Sequence, residues 1–337
     1  MIAAQVDAPL QGTVLEADPP ELGPRDVLIE VKNAGICGTD LHIWHGSYAL
    51  AQYPLVPGHE FSGVVAAVGQ EVKGFGVGDR VTADPNLPCY GCVFCQQRQF
   101  NQCLNLSVIG VTRSGGFARY VSAPESAVYG IGELPFAEAA LLEPLACVAW
   151  GLKQVQPQAG DRLLIFGAGP MGILMLQAAK SAGAASVVIV DREAWRLKIA
   201  EELGANATVL ADDMGDKVLK DHAPYGFDIV ADATGVPAVI ERTFAYLKPG
   251  GKMWVFGVTG ADARVPFSPF DVFRRDLKII GSFALNKTFH EAISLVQGGA
   301  VKLAPLISHQ LPLKEFARGF ELAERDPDRM KVQFAFD

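Results

Sequence analysis

The 337-residue chain lacks any apolar stretch fit to cross a bilayer. Its longest strongly apolar run, 163–179, is broken by three Gly and a Pro, and a helical span needs about 20 apolar residues. The opening residues, MIAAQVDAPLQG, have no cationic segment followed by an apolar one, so no secretory leader is expected there. Positive charge is in deficit. Lys and Arg number 29 against 37 Asp and Glu, a net −8. A polyanionic partner needs a basic face, so nucleic acid and an anionic membrane are not expected as main partners. Internal repeats and low-complexity tracts are absent. Hydrophobic residues make up 50% of the chain and charged residues 20%, which excludes a disordered chain or a coiled coil. A soluble cytoplasmic protein of two domains is the expectation.

What is present divides near residue 150. The first part is rich in Gly and Pro, with short β-like runs at 27–31, 63–68 and 79–82. That pattern suggests a folded sheet or a partly open barrel. From 151 to 284 strands and helices alternate. Strands are expected at 162–166, 186–190, 228–231, 252–257 and 278–280, with helices at 170–182, 193–203 and 238–247. Such alternation implies a doubly wound parallel sheet. Residues 285–337 read as two helices, 289–297 and 314–325, and a final strand-like segment, 331–336. The organisation expected is a β-rich domain over 1–150, completed by 285–337, and an α/β domain over 151–284.

Gly167-Ala-Gly169-Pro-Met-Gly172 follows an expected strand and opens an expected helix. The first Gly allows the tight turn. The second lets the backbone approach a pyrophosphate, and the third lets helix and strand pack closely. The helix N-terminus offers free N–H groups to the phosphates. Asp191 lies 19 residues after Gly172, where a carboxylate can hold the ribose hydroxyls and repel a 2′-phosphate. NAD is therefore expected over NADP, although Arg192 and Arg196 could accommodate the extra phosphate. A flavin or a vestigial dinucleotide site is the alternative.

The six Cys are unevenly spread. Cys89, Cys92, Cys95 and Cys103 fall within fifteen residues. Four thiolates so spaced suit a closed, structural tetrahedral zinc site. A disulfide-linked loop and an iron–sulfur cluster are the alternatives. A second constellation joins Cys37-Gly-Thr39-Asp40-Leu-His42, Gly58-His59-Glu60 and Glu143-Pro144. One thiolate, one imidazole and one or two carboxylates make an open zinc site.

With these residues in hand the chain resembles the zinc-dependent medium-chain alcohol dehydrogenase family over essentially its whole length. The likeness rests on Gly58-His59-Glu60-x-x-Gly63 with Gly69 and Val72, on the four-Cys lobe, on CGTDLH and on the later Gly motif, all in order. Glu143-Pro-Leu-Ala-Cys147 resembles the polyol branch; ethanol-type members usually have Cys at the position of Glu143. Threonine dehydrogenases share CGTD and GHE but differ at that segment.

The resemblance implies a GroES-like catalytic domain and a Rossmann domain. It implies two zinc ions per subunit, one catalytic on Cys37, His59 and either Glu60 or Glu143, and one structural on the four-Cys lobe. Thr39 would hydrogen-bond the substrate hydroxyl, His42 would pass the proton to solvent and Asp40 would orient a metal ligand, while Cys147 would be structural. The cofactor would meet Gly167, Gly169, Pro170, Met171, Gly172, Asp191, Arg192, Arg196, Val258, Ser282 and Phe283. The activity implied is oxidation of a secondary alcohol of a pentitol or hexitol to the ketose, with hydride transfer to NAD. Sorbitol-type members carry Arg and Tyr where this chain has Ala284 and Leu285, which makes a pentitol or a vicinal diol as plausible as sorbitol. The run from Phe270 to Arg275 and Ile307-Ser308-His309 resembles arabinitol-type members. Trp44, His45, Tyr48, Phe117 and Phe283 are candidates for the pocket wall or, equally, for core packing. The alternatives are an L-threonine 3-dehydrogenase and a non-enzymatic NAD-binding protein. A homodimer or homotetramer joined through the edge of the cofactor sheet is also expected.

Overall fold

A computed structural model describes residues 1–48, 50–211 and 215–337. The chain divides into two compact units. One comprises Met1–Ala146 with Leu303–Asp337, the other Cys147–Lys302. Among the described residues no helix is long and apolar enough to cross a membrane.

The first unit is built on a seven-stranded mixed sheet. Its central strand, Asp26–Gly35, pairs antiparallel with Glu60–Val68 on one side and with Lys331–Ala335 on the other. Tyr120–Pro124 also pairs with it. Val27, Ile29 and Val31 alternate inward and are fully buried, the period-2 pattern of a strand with one face on a core. An aromatic cluster fills that core. Phe117 is 5.0 Å from Phe334 and 6.2 Å from Phe316, and Phe316 is 4.7 Å from Phe320. Phe117 is therefore core rather than pocket wall. Trp44 packs on the same helix, Phe316–Arg325, through Phe316 and Phe320, and His45 pairs with Glu324 at 3.0 Å. The hairpin of Ile2–Ala8 and Gln11–Glu16 had no clear signal in the sequence.

The second unit holds a six-stranded parallel sheet. Its order is Ala207–Leu210, Ser186–Asp191, Arg162–Phe166, Phe227–Asp232, Leu247–Val255 and Lys278–Gly281. Leu163 to Ile165, Val187 to Ile189 and Ile229 to Ala231 are all but inaccessible. Such continuous apolar strands are required when helices cover both faces. The order reverses between Arg162–Phe166 and Phe227–Asp232, and ligands of such sheets bind at that switch point, outside the carboxyl ends of the strands. The expected helix 238–247 is shorter in the structure. It runs Pro237–Thr243 and passes through a 3₁₀ turn, Phe244–Tyr246, into the next strand. The helix Phe289–Gln297 belongs to this second unit.

Candidate active site and metal centres

Chain direction places Cys37 and His59 together. Asp26–Gly35 runs into Cys37, which caps the short helix Gly38–Trp44. The neighbouring strand begins at Glu60, paired with Gly35, so His59 stands at the same end of the sheet. Donor atoms of Cys37, His59 and Glu60 lie within 4.8 Å of one another. Asp40, fully buried, braces this group. Its carboxylate accepts from the Cys37 N–H at 2.8 Å and the Gly58 N–H at 3.2 Å, and stands 3.6 Å from His59 Nδ1. That nitrogen is buried and has no hydrogen-bond partner among the described residues. Burial works against an imidazolium, yet Asp40 and Cys37 together carry His59 well above the usual histidine range. The pocket thus has a surplus of negative charge that favours a cation, and its sulfur, nitrogen and oxygen donors suit zinc.

Glu143 is not in this tight group. It is buried in the first turn of the helix Leu142–Val155. A residue that sequence reasoning missed stands nearer. Lys331 is buried, and its ammonium donates to both Glu60 oxygens, at 2.8 and 2.7 Å, and to the Ile36 carbonyl at 3.3 Å. Burial disfavours that charge, but Glu60 first, then Cys37 and Glu143, keep the lysine above its ordinary value. No motif marks it; a Lys in a strand reads as solvent-facing.

Thr39 is half-buried in the first turn after Cys37, and its hydroxyl makes no hydrogen bond among the described residues. His42 sits one turn on, with Nδ1 3.0 Å from Ser47 Oγ at the surface. Tyr48 is half-buried within electrostatic reach of His59 and Cys37, and burial pushes its phenol up. It remains a pocket candidate.

The four-Cys group is also assembled. Donor sulfurs of Cys89, Cys92, Cys95 and Cys103 lie within 4.8 Å of one another, and all are free thiols. Cys92 and Cys103 are 3.9 Å apart, far beyond the roughly 2.05 Å of a disulfide. N–H groups of Gly91 and Cys92 hold Cys89 down at about 6, while burial and its sulfur neighbours push Cys95 up to about 12.

In the second unit the glycine loop leaves Arg162–Phe166 at the switch point. Gly167 has φ +103°, which only glycine adopts at little cost. Gly169 caps the helix Pro170–Ser181, with Met171 in its first turn. The Asp191 carboxylate accepts from the Ala168 N–H at 2.6 Å and from the Glu193 N–H at 2.9 Å, tying the loop to the end of the second strand. Arg192 is exposed, and Arg196 lies over Trp195 at 5.2 Å. Val258 and Phe283 are exposed, and Ser282 Oγ accepts from Trp254 Nε1 at 2.9 Å. Thr234, next to Gly167, was not foreseen. Asp232 holds it by accepting from its N–H and hydroxyl at 3.1 and 2.6 Å.

Comparison with known proteins bears on both halves. Residues 23–133 match the alcohol dehydrogenase GroES-like domain, and residues 170–298 match the zinc-binding dehydrogenase family. The chain is 40% identical over 319 residues, 94% of each chain, to D-altritol 5-dehydrogenase of Agrobacterium fabrum. It is 33% identical to D-arabinitol dehydrogenase 1 of Uromyces fabae, covering 95% of this chain and 93% of that one. It is 34% identical to L-threonine 3-dehydrogenase of Bacillus subtilis, covering 92% of each. Among solved structures, a zinc-binding dehydrogenase from Sinorhizobium meliloti bound to NADP superposes with a TM-score of 0.93 at 34% identity, covering 99% of both chains.

Proposed function

The chain belongs to the zinc-dependent medium-chain alcohol dehydrogenase family, and from that membership we propose that it oxidises a secondary alcohol of a polyol, passing hydride to NAD. The observation that carries the reading is the convergence of Cys37, His59 and Glu60 with Asp40 buried behind them. Cys37 and His59 are the residues to hold the catalytic zinc, with Glu60 or Glu143 as the third protein donor. Zinc held there supplies Lewis acidity, which lowers the pKa of a bound oxygen acid as it lowers that of water, from about 15.7 to about 7. Asp40 fixes the orientation of His59 and the backbone of Cys37. Thr39 takes the hydrogen bond of the substrate hydroxyl, and His42, with Nδ1 engaged by Ser47, hands the proton to solvent through Nε2. The four-Cys lobe holds a second, structural zinc and leaves no position for substrate. Gly167, Gly169, Pro170, Met171 and Gly172 cradle the pyrophosphate, and Asp191 takes the adenosine ribose. Arg192, Arg196, Val258, Ser282 and Phe283 complete the cofactor contacts.

The substrate class proposed is pentitols and hexitols. The altritol and arabinitol dehydrogenases among the relatives support it, as does Glu143 in its Pro-Leu-Ala-Cys147 setting. The second reading, L-threonine oxidation, is favoured by relatives of nearly the same similarity. One experiment separates them. Cofactor reduction is followed over D-altritol, D-arabinitol, other pentitols and hexitols, vicinal diols and L-threonine. Each is paired with NAD and with NADP, before and after chelation. Chelator-sensitive oxidation of a polyol subset with NAD is expected. Oxidation of L-threonine alone would replace the substrate class. A clear preference for NADP would remove Asp191 from its role. Silence across the panel with zinc and NAD bound would leave a dinucleotide-binding protein.

A homodimer or homotetramer is proposed through the sheet-edge strand Lys278–Gly281, which has no strand on its outer side among the described residues and carries Ile279 44% exposed. Such an edge pairs readily with a second copy. An Ile279→Lys variant should sediment as a smaller species than the parent protein; an unchanged assembly would place the interface elsewhere. A cytoplasmic location is proposed because a thiolate zinc lobe persists in a reducing compartment; cell fractionation checks it.

A further inference from the structure

Lys331 is placed where a metal site has least use for an ordinary lysine. It lies on the strand Lys331–Ala335, last in the chain, which pairs with Asp26–Gly35 so that Gln333 faces Gly35. On the other side Gly35 faces Glu60. The lysine therefore reaches Glu60 across the intervening strand, over Gly35. Gly35 makes the room. A Cβ there would collide with Glu60 Oε2 and come within 3.4 Å of Lys331 Cδ. Two ammonium N–H groups go to Glu60 and the third to Ile36, which exhausts the donors a lysine has. Both side chains are sealed from solvent, at 6% and 1% exposure.

We propose that Lys331 is a resident counter-cation of the Cys37–His59–Glu60 site. It holds both oxygens of Glu60 and so keeps that carboxylate off an ion on Cys37 and His59. It thereby sets the affinity for that ion below what the three donors alone would give. This rests on the reading that Cys37 and His59 hold zinc. The physical argument is a charge count. The ammonium cancels one of the anionic donors and repels a dication entering beside it. Glu60 can become a ligand only by giving up two buried charge-assisted hydrogen bonds. Without Lys331 the same carboxylate is a free anionic donor a few ångströms from the other two.

The test is a Co(II) titration of protein whose four-Cys site already holds zinc, read by the thiolate charge-transfer absorption of Cys37. Lys331→Met should bind Co(II) tighter than the parent by about tenfold or more, and Lys331→Arg should match the parent. The double variant Glu60→Gln/Lys331→Met should return to about the parent affinity, because both charges are gone and the packing is nearly conserved. Glu60→Gln alone should bind about tenfold or more weaker, since the ammonium is then uncompensated. The double variant and Glu60→Gln carry the test if Lys331→Met does not fold without metal. Equal affinity across the series, or a gain that persists in the double variant, overturns the proposal while leaving the zinc reading intact. Absence of the Cys37 band in every protein, the parent included, overturns both.

Discussion

A Thr39→Ala variant is expected to lose about three orders of magnitude in kcat while keeping its fold, its metal content and its affinity for NAD. A positioned proton-transfer group contributes about 10² to 10⁴ in rate, and Thr39 is the hydroxyl nearest in sequence to the Cys37 donor. Its side chain makes no hydrogen bond among the described residues, so removing the oxygen leaves no buried group unpaired. The melting temperature should therefore hold. His42→Ala should cost less, about tenfold, because water can take the place of a half-exposed imidazole. Steady-state kinetics beside NADH fluorescence titration separate the steps. A Thr39→Ala enzyme with near-parent kcat would take Thr39 out of the reaction.

Two substitutions in the glycine loop should both weaken NAD but differ in their effect on stability. A methyl at Gly172 would land on the carbonyl oxygen of Gly167 and within 2.9 Å of its carbonyl carbon. Both are backbone atoms at the strand end and cannot swing aside. The helix Pro170–Ser181 would have to lift from Arg162–Phe166. Overpacking of this kind costs roughly 3 kcal/mol, or roughly 10 °C in Tm, and NAD binding should fall by about a hundredfold or more as the phosphate cradle opens. At Gly169 a methyl meets nothing within 4 Å, and its φ of −70° is open to alanine. Gly169→Ala should therefore keep the parent Tm and still weaken NAD, because the new methyl occupies the pyrophosphate approach. Calorimetry and NADH titration on the pair read this directly. A Gly172→Ala protein with unchanged Tm would contradict the packing argument. Parent affinity in Gly169→Ala would move the phosphates off the loop.

The parts legible in the sequence are those whose physics is local. Strands such as Arg162–Phe166 and Ser186–Asp191 are continuous apolar runs, and the glycine loop between strand and helix is set by spacing alone. The Cys spacing announced the gathering of Cys89, Cys92, Cys95 and Cys103 for the same reason. Other features depend on what lies across the fold. The helix Leu142–Val155 was hidden by Pro144, which reads as a break, though proline is tolerated in a first turn. Ala207–Leu210 is only four residues long. Phe117 looked as much like a pocket wall as a core residue until the aromatic cluster enclosed it. Lys331 was unreadable because its partner, Glu60, is 271 residues away and joins it only when the strand Lys331–Ala335 pairs with Asp26–Gly35.

That last strand also bears on how the protein is made. The first unit takes a closing piece, Lys331–Ala335, from residues that leave the ribosome long after Asp26–Gly35. Until they emerge, the Asn33–Gly35 end of Asp26–Gly35 is an open edge, although Tyr120–Pro124 already covers Asp26–Glu30, and Glu60 lacks the Lys331 ammonium. The second unit, Cys147–Lys302, is by then wholly synthesised. Deletion of Lys331–Ala335 should therefore harm the amino-terminal sheet first, and the nascent chain is exposed to edge-to-edge aggregation until that strand emerges.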